Sequence, residues 1–261
     1  MKQPSSFGLI GELLSLAEEV ARRAGELLSK RPESFDISQK SSARDFATHM
    51  DHASEELIVE ALLAARPDDG IIGEEGANRE SKSGITWVID PIDGTVNYFY
   101  NLPGWNISIA AKDDDGVLVG VVFAPTLNSL WRASRGGGAF LNDRAIHVSN
   151  SDSLEESLIA TGFSYDPDTR VLQGEKIAAL IPKVRDIRRN GAAAVDLCHV
   201  ASGAVDGYFE SGLKEWDLAA GGLIAREAGA LLTGARGALA GEEMVIAAGP
   251  ALHPLLMGEI G

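Results

Sequence analysis

The sequence predicts a layered α/β protein, on three observations: an antiparallel-rich first half, a second half alternating strand and helix, and enough apolar residues to bury sheets against helices. In the first half, apolar segments at about 107–111, 117–123 and 130–133 follow one another closely, and the stretches 113–116 and 124–128 between them have hairpin-turn composition. In the second half, strands are expected at 158–161, 206–209, 230–232 and 244–247, and helices at 192–201 and 217–228. Of 261 residues, 45% are hydrophobic and 23% charged, which suits one large domain or two tightly joined lobes and excludes whole-chain disorder.

Taken in order, Leu9, Leu13, Leu16, Val20, Ala24 and Leu27 fall at helical spacing among Glu and Arg, predicting an amphipathic helix over 9–28. A second helix over 51–65 is ended by Arg66-Pro67-Asp68-Asp69-Gly70. A short strand, Ile71-Ile72, then runs into Gly73-Glu74-Glu75-Gly76. The run 85–89 is a further strand, expected to stop or to lie at an edge at Asp90-Pro91, because Pro91 has no N–H for a ladder. Asp93-Gly94-Thr95 then opens a helix. The polar stretch 149–153 is the best boundary, dividing an N-terminal lobe, 1–148, from a C-terminal α/β lobe, 149–261, within one compact unit.

The chain carries 23 Lys and Arg against 38 Asp and Glu, a net charge of −15. Such a surface repels nucleic-acid backbones and anionic membranes, so neither is an expected partner. Any phosphate site here needs a counter-charge, which divalent cations would supply. The lone cysteine, Cys198, excludes an intrachain disulfide and fits a reducing cytoplasm. Glu12, Glu18 and Glu19 interrupt the first apolar stretch, so no secretory signal is expected there. No window holds ~18 uncharged apolar residues, so no membrane span is expected.

Acidic residues cluster where the chain should turn: Glu74-Glu75 between glycines, Asp90 and Asp93 around Pro91-Ile92, and Asp217 in Glu215-Trp216-Asp217-Leu218-Ala219-Ala220-Gly221. An Asp after a strand is commonly a turn former or helix cap. Hard cations such as Mg²⁺, however, take a few carboxylates plus water and substrate phosphate. Two acids three residues apart can converge on one ion if the backbone turns between them, and the Ile92 carbonyl would then point inward as well.

The string Trp87-Val88-Ile89-Asp90-Pro91-Ile92-Asp93-Gly94-Thr95-Val96-Asn97-Tyr98 resembles the signature of the inositol monophosphatase family of metal-dependent, lithium-sensitive phosphatases. The resemblance extends to Gly73-Glu74-Glu75, to Trp216-Asp217-Leu218-Ala219-Ala220-Gly221, to Asp51 in Thr48-His49-Met50-Asp51, and to the substrate-loop-like Arg188-Arg189-Asn190-Gly191-Ala192-Ala193-Ala194. It runs from about residue 13 to 257 and implies an alternating α-β-α-β-α sandwich of the inositol monophosphatase and fructose-1,6-bisphosphatase type.

By carry-over, the resemblance implies two or three Mg²⁺ ions per site. Glu74, Asp90 and the Ile92 carbonyl would hold one, and Asp90, Asp93 and Asp217 a second, with Glu74 serving a third. A metal-activated water would attack phosphorus without a covalent enzyme intermediate. Glu74 and Thr95 would position or deprotonate that water, and Asp51 would hydrogen-bond the Thr95 hydroxyl. The N–H groups of Gly94 and Thr95 would bind phosphate oxygens. Asp93, Gly191, Ala192, Ala193, Glu210 and Asp217 match positions that contact the polyol in family members. Ala192 departs from the hydroxyl residue of some inositol-specific members and removes one such contact.

The implied reaction is release of phosphate from a small polyol, first myo-inositol 1-phosphate. Histidinol phosphate, fructose 1,6-bisphosphate and 3′-phosphoadenosine 5′-phosphate share the same core chemistry. A regulatory binding protein is the alternative of a different class, since some bacterial relatives are implicated in interactions with RNA or the transcription machinery. A homodimer is expected by the same resemblance.

Other signals are weaker. Asp113-Asp114-Asp115-Gly116-Val117 superficially fits the nucleophile motif of haloacid dehalogenase phosphatases but lies between alternating segments, as a hairpin turn does. Arg135-Gly136-Gly137-Gly138 lacks a full dinucleotide fingerprint. His49 and His52 lack further zinc ligands, Cys198 sits among small apolar residues as a packed hydrophobe, and the 185–189 basic cluster is solvated or approaches the substrate or a subunit interface.

Overall fold

The computed structural model describes residues 6–42 and 44–261. Helix α1 (Ser6–Ser29) is followed by a two-stranded hairpin, β1 (Ile37–Ser42) and β2 (Asp45–Thr48), and by α2 (His49–Ala65). Next come β3 (Gly70–Gly73), β4 (Asn78–Arg79), β5 (Thr86–Asp93), the short α3 (Thr95–Tyr100), β6 (Asn106–Asp113), β7 (Gly116–Ala124), β8 (Ser129–Ser134), β9 (Gly138–Leu141) and β10 (Arg144–Ala145). The remainder is β11 (Leu158–Thr161), α4 (Pro167–Leu180), β12 (Asp186–Arg188), α5 (Ala193–Ala201), β13 (Gly207–Glu210), α6 (Glu215–Glu227), β14 (Leu231–Thr233), β15 (Val245–Ala248) and α7 (His253–Ile260).

The eight-stranded sheet has the order β10-β9-β8-β7-β6-β5-β3-β4 and the five-stranded sheet the order β12-β11-β13-β15-β14. The first is antiparallel apart from the β3–β5 pair; the second mixes parallel β11 pairings with antiparallel β15 pairings. Side-chain alternation divides the large sheet between two cores. Trp87, Ile89, Ile107, Ile109, Val119 and Val121 join α1 and α2 on one face. Val88, Ala110, Val122, Trp131 and Ala133 face α5 and α6 on the other. Those helices turn Leu197, Val200 and Ala225 toward Tyr208, Val245 and Ala247 of the second sheet. The outer face of that sheet is closed by α4 and α7, through Leu180, Leu256 and Ile260, with Leu252 just before α7. The result is the α-β-α-β-α layering expected from the sequence. No described helix is long and apolar enough to cross a membrane.

One expectation is corrected. Strand β5 does not stop at Asp90-Pro91: it runs to Asp93, well inside the sheet. The strand tolerates Pro91 because the register shifts there, with Asp90 opposite Ser108 but Asp93 opposite Asn106, so Pro91 and Ile92 together face only Ile107. The extra residue makes a bulge, and the missing N–H of Pro91 falls inside it. On the opposite side, the pairing with β3 already ends at Gly73–Ile89.

Candidate active site

The bulge builds the site. It bends β5 so that Asp90 and Asp93, which strict alternation would place on opposite faces, converge. Each carboxylate is then fixed by a local bond. Asp90 Oδ1 accepts the Ile92 N–H at 3.0 Å. Asp93 Oδ1 accepts from Ala193 N at 3.1 Å, and its Oδ2 accepts from Ala194 N and Asn106 Nδ2, both at 2.8 Å. Asp93 therefore also caps α5. Asp217 is the third residue of α6, and its Oδ2 accepts the Lys214 N–H at 2.6 Å, leaving Oδ1 free of that bond. Asp90, Asp93 and Asp217 each offer an oxygen within 4.8 Å of the others, the one such group among the described residues.

Glu74 stands beside this trio in the turn after β3, with its carboxyl close enough to that of Asp90 for each to perturb the other. Burial, then the neighbouring Glu74, Asp93 and Asp217 charges, pushes Asp90 well above the usual carboxylate range. Burial, then Asp93 and Glu74, does the same to Asp217. Burial also raises Asp93, against its hydrogen bonds, and Glu74, against the Lys40 charge. Four carboxylates crowded together without a matching set of cations are held at high electrostatic energy. The donor set is entirely oxygen and anionic. It fits hard divalent cations such as Mg²⁺, which would neutralise it.

Thr95 opens α3, and its hydroxyl lies 3.0 Å from Asp51 Oδ1 and 3.1 Å from the Ile92 carbonyl oxygen. Asp51 is fully buried on α2, where its other oxygen accepts both the N–H and the hydroxyl of Thr48, at 2.8 and 2.7 Å. Gly94, between Asp93 and Thr95, adopts φ 84°, and a Cβ there would stand 3.1 Å from the Gly191 carbonyl and 3.2 Å from Ala192 Cβ. Glycine is required for both the backbone and the approach of the 191–193 loop. Asn97 ties the same loop down by donating from Nδ2 to the Asn190 carbonyl at 2.8 Å.

Glu74, Asp90, Ile92, Asp93, Gly94, Thr95, Gly191, Ala192, Ala193, Glu210 and Asp217 all border one cavity of about 750 Å³. Asp51 lies behind Thr95, outside the lining. Glu210, at the end of β13, accepts a 2.6 Å bond from the Tyr208 hydroxyl. Burial pushes its pKa up to about 7, with Tyr208 and Arg189 pulling down and Asp93 pushing up. All three arginines of the basic cluster are exposed, but only Arg189 lines the cavity, over the Phe163 ring; Arg185 and Arg188 stand away from it. His49 Nδ1 accepts from Asp36 N, and Cys198 is buried in α5, so neither enters the site.

Sequence reasoning missed Lys40. From the β1–β2 hairpin its ammonium bonds Glu74 at 2.8 Å and Glu75 at 2.6 Å, and it borders the cavity. Burial opposes its charge, yet Glu74 and Glu75 hold its pKa above the ordinary value. Asn106 and Asn97 were also missed, because each acts through a partner distant in sequence, and so was Tyr208, whose partner Glu210 stands only two residues on along β13. Only the Asn in the string after Asp-Gly-Thr carried any local signal.

This cage of carboxylate oxygens beside a cavity is the site of a metal-dependent enzyme, and its relatives make the class a phosphoric monoester hydrolase. A family profile described as the inositol monophosphatase family matches residues 10–260. The chain belongs to that family. It is 45% identical over 225 residues to the Nus factor SuhB of Pasteurella multocida, covering 84% of each chain. It is 40% identical to the inositol-1-monophosphatase of Mycobacterium bovis, covering 95% of this chain and 93% of that one. Among solved structures, the suhB protein of Bartonella henselae superposes with a TM-score of 0.90 at 32% identity, covering 95% and 98%. A Thermotoga maritima IMPase does so at 0.87 and 33%, covering 94% and 95%.

Proposed function

We propose that the protein hydrolyses a phosphate monoester of a small polyol, with myo-inositol 1-phosphate as the preferred substrate and two or three Mg²⁺ ions per site. The observation that carries the substrate reading is Glu210, a carboxylate across the cavity from the aspartate trio, oriented by Tyr208 and able to accept hydrogen bonds from ring hydroxyls. Bound Mg²⁺ supplies water activation, polarisation of the phosphoryl group and charge balance. Glu74, Asp90, Asp93, Asp217 and the Ile92 carbonyl hold it. Asp51 accepts a hydrogen bond from the Thr95 hydroxyl, which turns the lone pairs of Thr95 Oγ1 toward the cavity to hold the attacking water. Glu74, which burial holds above the ordinary carboxylate value, takes that water's proton. The amides of Gly94 and Thr95 receive phosphate oxygens, and Asp93, Asp217, Glu210 and the 191–193 backbone receive the polyol.

The same reading makes the protein a cytoplasmic homodimer that Li⁺ inhibits. Phosphate release with Mg²⁺ from inositol 1-phosphate, histidinol phosphate, fructose 1,6-bisphosphate and 3′-phosphoadenosine 5′-phosphate tests the substrate. Highest kcat/KM on inositol 1-phosphate is expected, and activity on any of the others far above it overturns the choice. A second reading, action as a Nus factor, is favoured by the names of several relatives at about 40% identity or more. In a chromosomal replacement strain, growth and transcription that need the protein but tolerate Asp93→Asn would favour it.

A further inference from the structure

Helix α2 offers nothing to the cavity lining except through Asp51 and Thr95, yet one face of it grips every first-half segment of the cage. Asp51, Ser54 and Glu55 lie at i, i+3 and i+4, which aligns them on that face, and their exposures are 0%, 0% and 6%. Asp51 holds Thr95. Ser54 donates from Oγ to the Pro91 carbonyl at 3.1 Å. Glu55 accepts the Glu75 N–H on Oε2 and the Ala77 N–H on Oε1, each at 2.9 Å.

We propose that Ser54 and Glu55 are positioning residues that set the metal affinity of the site, Glu55 by presenting Glu74 and Ser54 by locking the bulge between Asp90 and Asp93. This inference rests on the metal-dependent reading above.

Glu74 belongs to neither flanking strand; it sits in the turn between β3 and β4. That turn is closed by Gly73 N to the Ala77 carbonyl at 2.7 Å and by Glu74 N to the Ile89 carbonyl at 3.2 Å. The Glu55 carboxylate bridges the amides of Glu75 and Ala77, the first and third after Glu74, so it fixes the direction in which the Glu74 side chain leaves the turn. The fit is close: a Cβ on Gly73 would collide with the Glu55 carboxylate. Pro91 lies in the bulge, where β5 has no paired partner for it, and Ser54 supplies the donor its carbonyl would otherwise lack.

The physical need follows from charge. Glu74, Asp90, Asp93 and Asp217 repel one another, and the two that stand on irregular backbone, Glu74 on a turn and Asp90 before a bulge, depend most on contacts from α2 to hold that backbone against the repulsion. A clamp set during folding leaves less ordering to be done when a cation binds. Loosening it raises the metal concentration needed but leaves the chemistry of the filled site nearly intact. Outer partners of metal ligands typically change affinity by about 10- to 100-fold.

The test is calorimetric titration of Mn²⁺ into chelator-stripped, dialysed protein, paired with the Mg²⁺ dependence of phosphate release. Glu55→Gln places an NH₂ against one of the two amides, and Ser54→Ala leaves the Pro91 carbonyl unpartnered. Glu56→Gln, exposed one position along, removes the same charge without touching the turn. The proposal predicts Mn²⁺ binding weakened about tenfold or more in Glu55→Gln and Ser54→Ala, Glu56→Gln equal to wild type, and kcat at saturating Mg²⁺ changed far less than the half-saturating Mg²⁺. Wild-type affinity in Glu55→Gln with only a lowered melting temperature overturns it, as does equal weakening in Glu56→Gln. If Glu55→Gln does not fold, Ser54→Ala decides by the same criterion. A wild-type protein that binds no Mn²⁺ would instead defeat the metal reading itself.

Discussion

Asp93→Asn separates the two jobs of one carboxylate. In the native site Asp93 accepts three hydrogen bonds, from Ala193 N, Ala194 N and Asn106 Nδ2, while repelling Asp90 and Asp217. An asparagine keeps its carbonyl oxygen at the Oδ2 position, where two donors converge, and turns its NH₂ toward the Ala193 amide. One bond is lost and one buried donor is left unpaired, a cost of about 1–3 kcal/mol. Removing a charge from the repelling trio offsets part of this in the metal-free protein. The variant should therefore fold, with stability in EDTA within about 2 kcal/mol of wild type by urea unfolding. With one anionic ligand gone, transition-state stabilisation should fall by several kcal/mol, which is a loss of about 10²- to 10³-fold in kcat at saturating Mg²⁺. Phosphate release within a few-fold of wild type would refute the assignment of Asp93. So would a stability loss large enough to explain the inactivity.

Three further outcomes follow from the geometry. Glu210, with its pKa pushed up to about 7, is neutral below that pH and a carboxylate above it, so KM for the polyol phosphate should fall as pH rises through 7; Glu210→Gln should abolish that inflection, and its persistence would reassign it. Gly94→Ala puts a side chain at φ 84° against the 191–193 loop, and should lower stability by about 1–2 kcal/mol and raise KM, measured by melting and initial rates; an unchanged KM would free that loop from the substrate. Asp90 and Asp217 have folded pKa values above their unfolded ones, so the folded protein binds more protons and their contribution to metal-free stability falls as pH rises from about 4 through those raised values. The difference in Tm between Mg²⁺ and EDTA should accordingly widen from pH 5 to pH 8, and a difference that narrows would contradict the charge argument.

The parts of the fold that periodicity could reach were those with strong patterns. The six apolar positions of α1 and the apolar runs of β6, β7 and β8 are written in the local sequence. α4 was not legible because its pattern is weak: Val171 and Leu172 are exposed, and Gln173 and Leu180 are its buried residues. The β1–β2 hairpin carries the sequence Ile-Ser-Gln-Lys-Ser-Ser in its first strand, which has no apolar alternation to read. At the site, the acids were visible as motifs, but the bulge that makes Asp90 and Asp93 converge was not. Proline argued for a strand end, and only the register against β6 shows the strand continuing past it. Lys40 and Glu74 are 34 positions apart and Glu55 and Glu75 are 20, so no local spacing could have paired them.

The most direct test is the rate of phosphate release from myo-inositol 1-phosphate by chelator-stripped wild-type protein, followed as free Mg²⁺ is raised from zero to saturation. A cage of four carboxylates that must be neutralised before a dianionic substrate enters predicts no turnover in excess EDTA and a saturable return of activity with Mg²⁺. Full turnover in excess EDTA would contradict it.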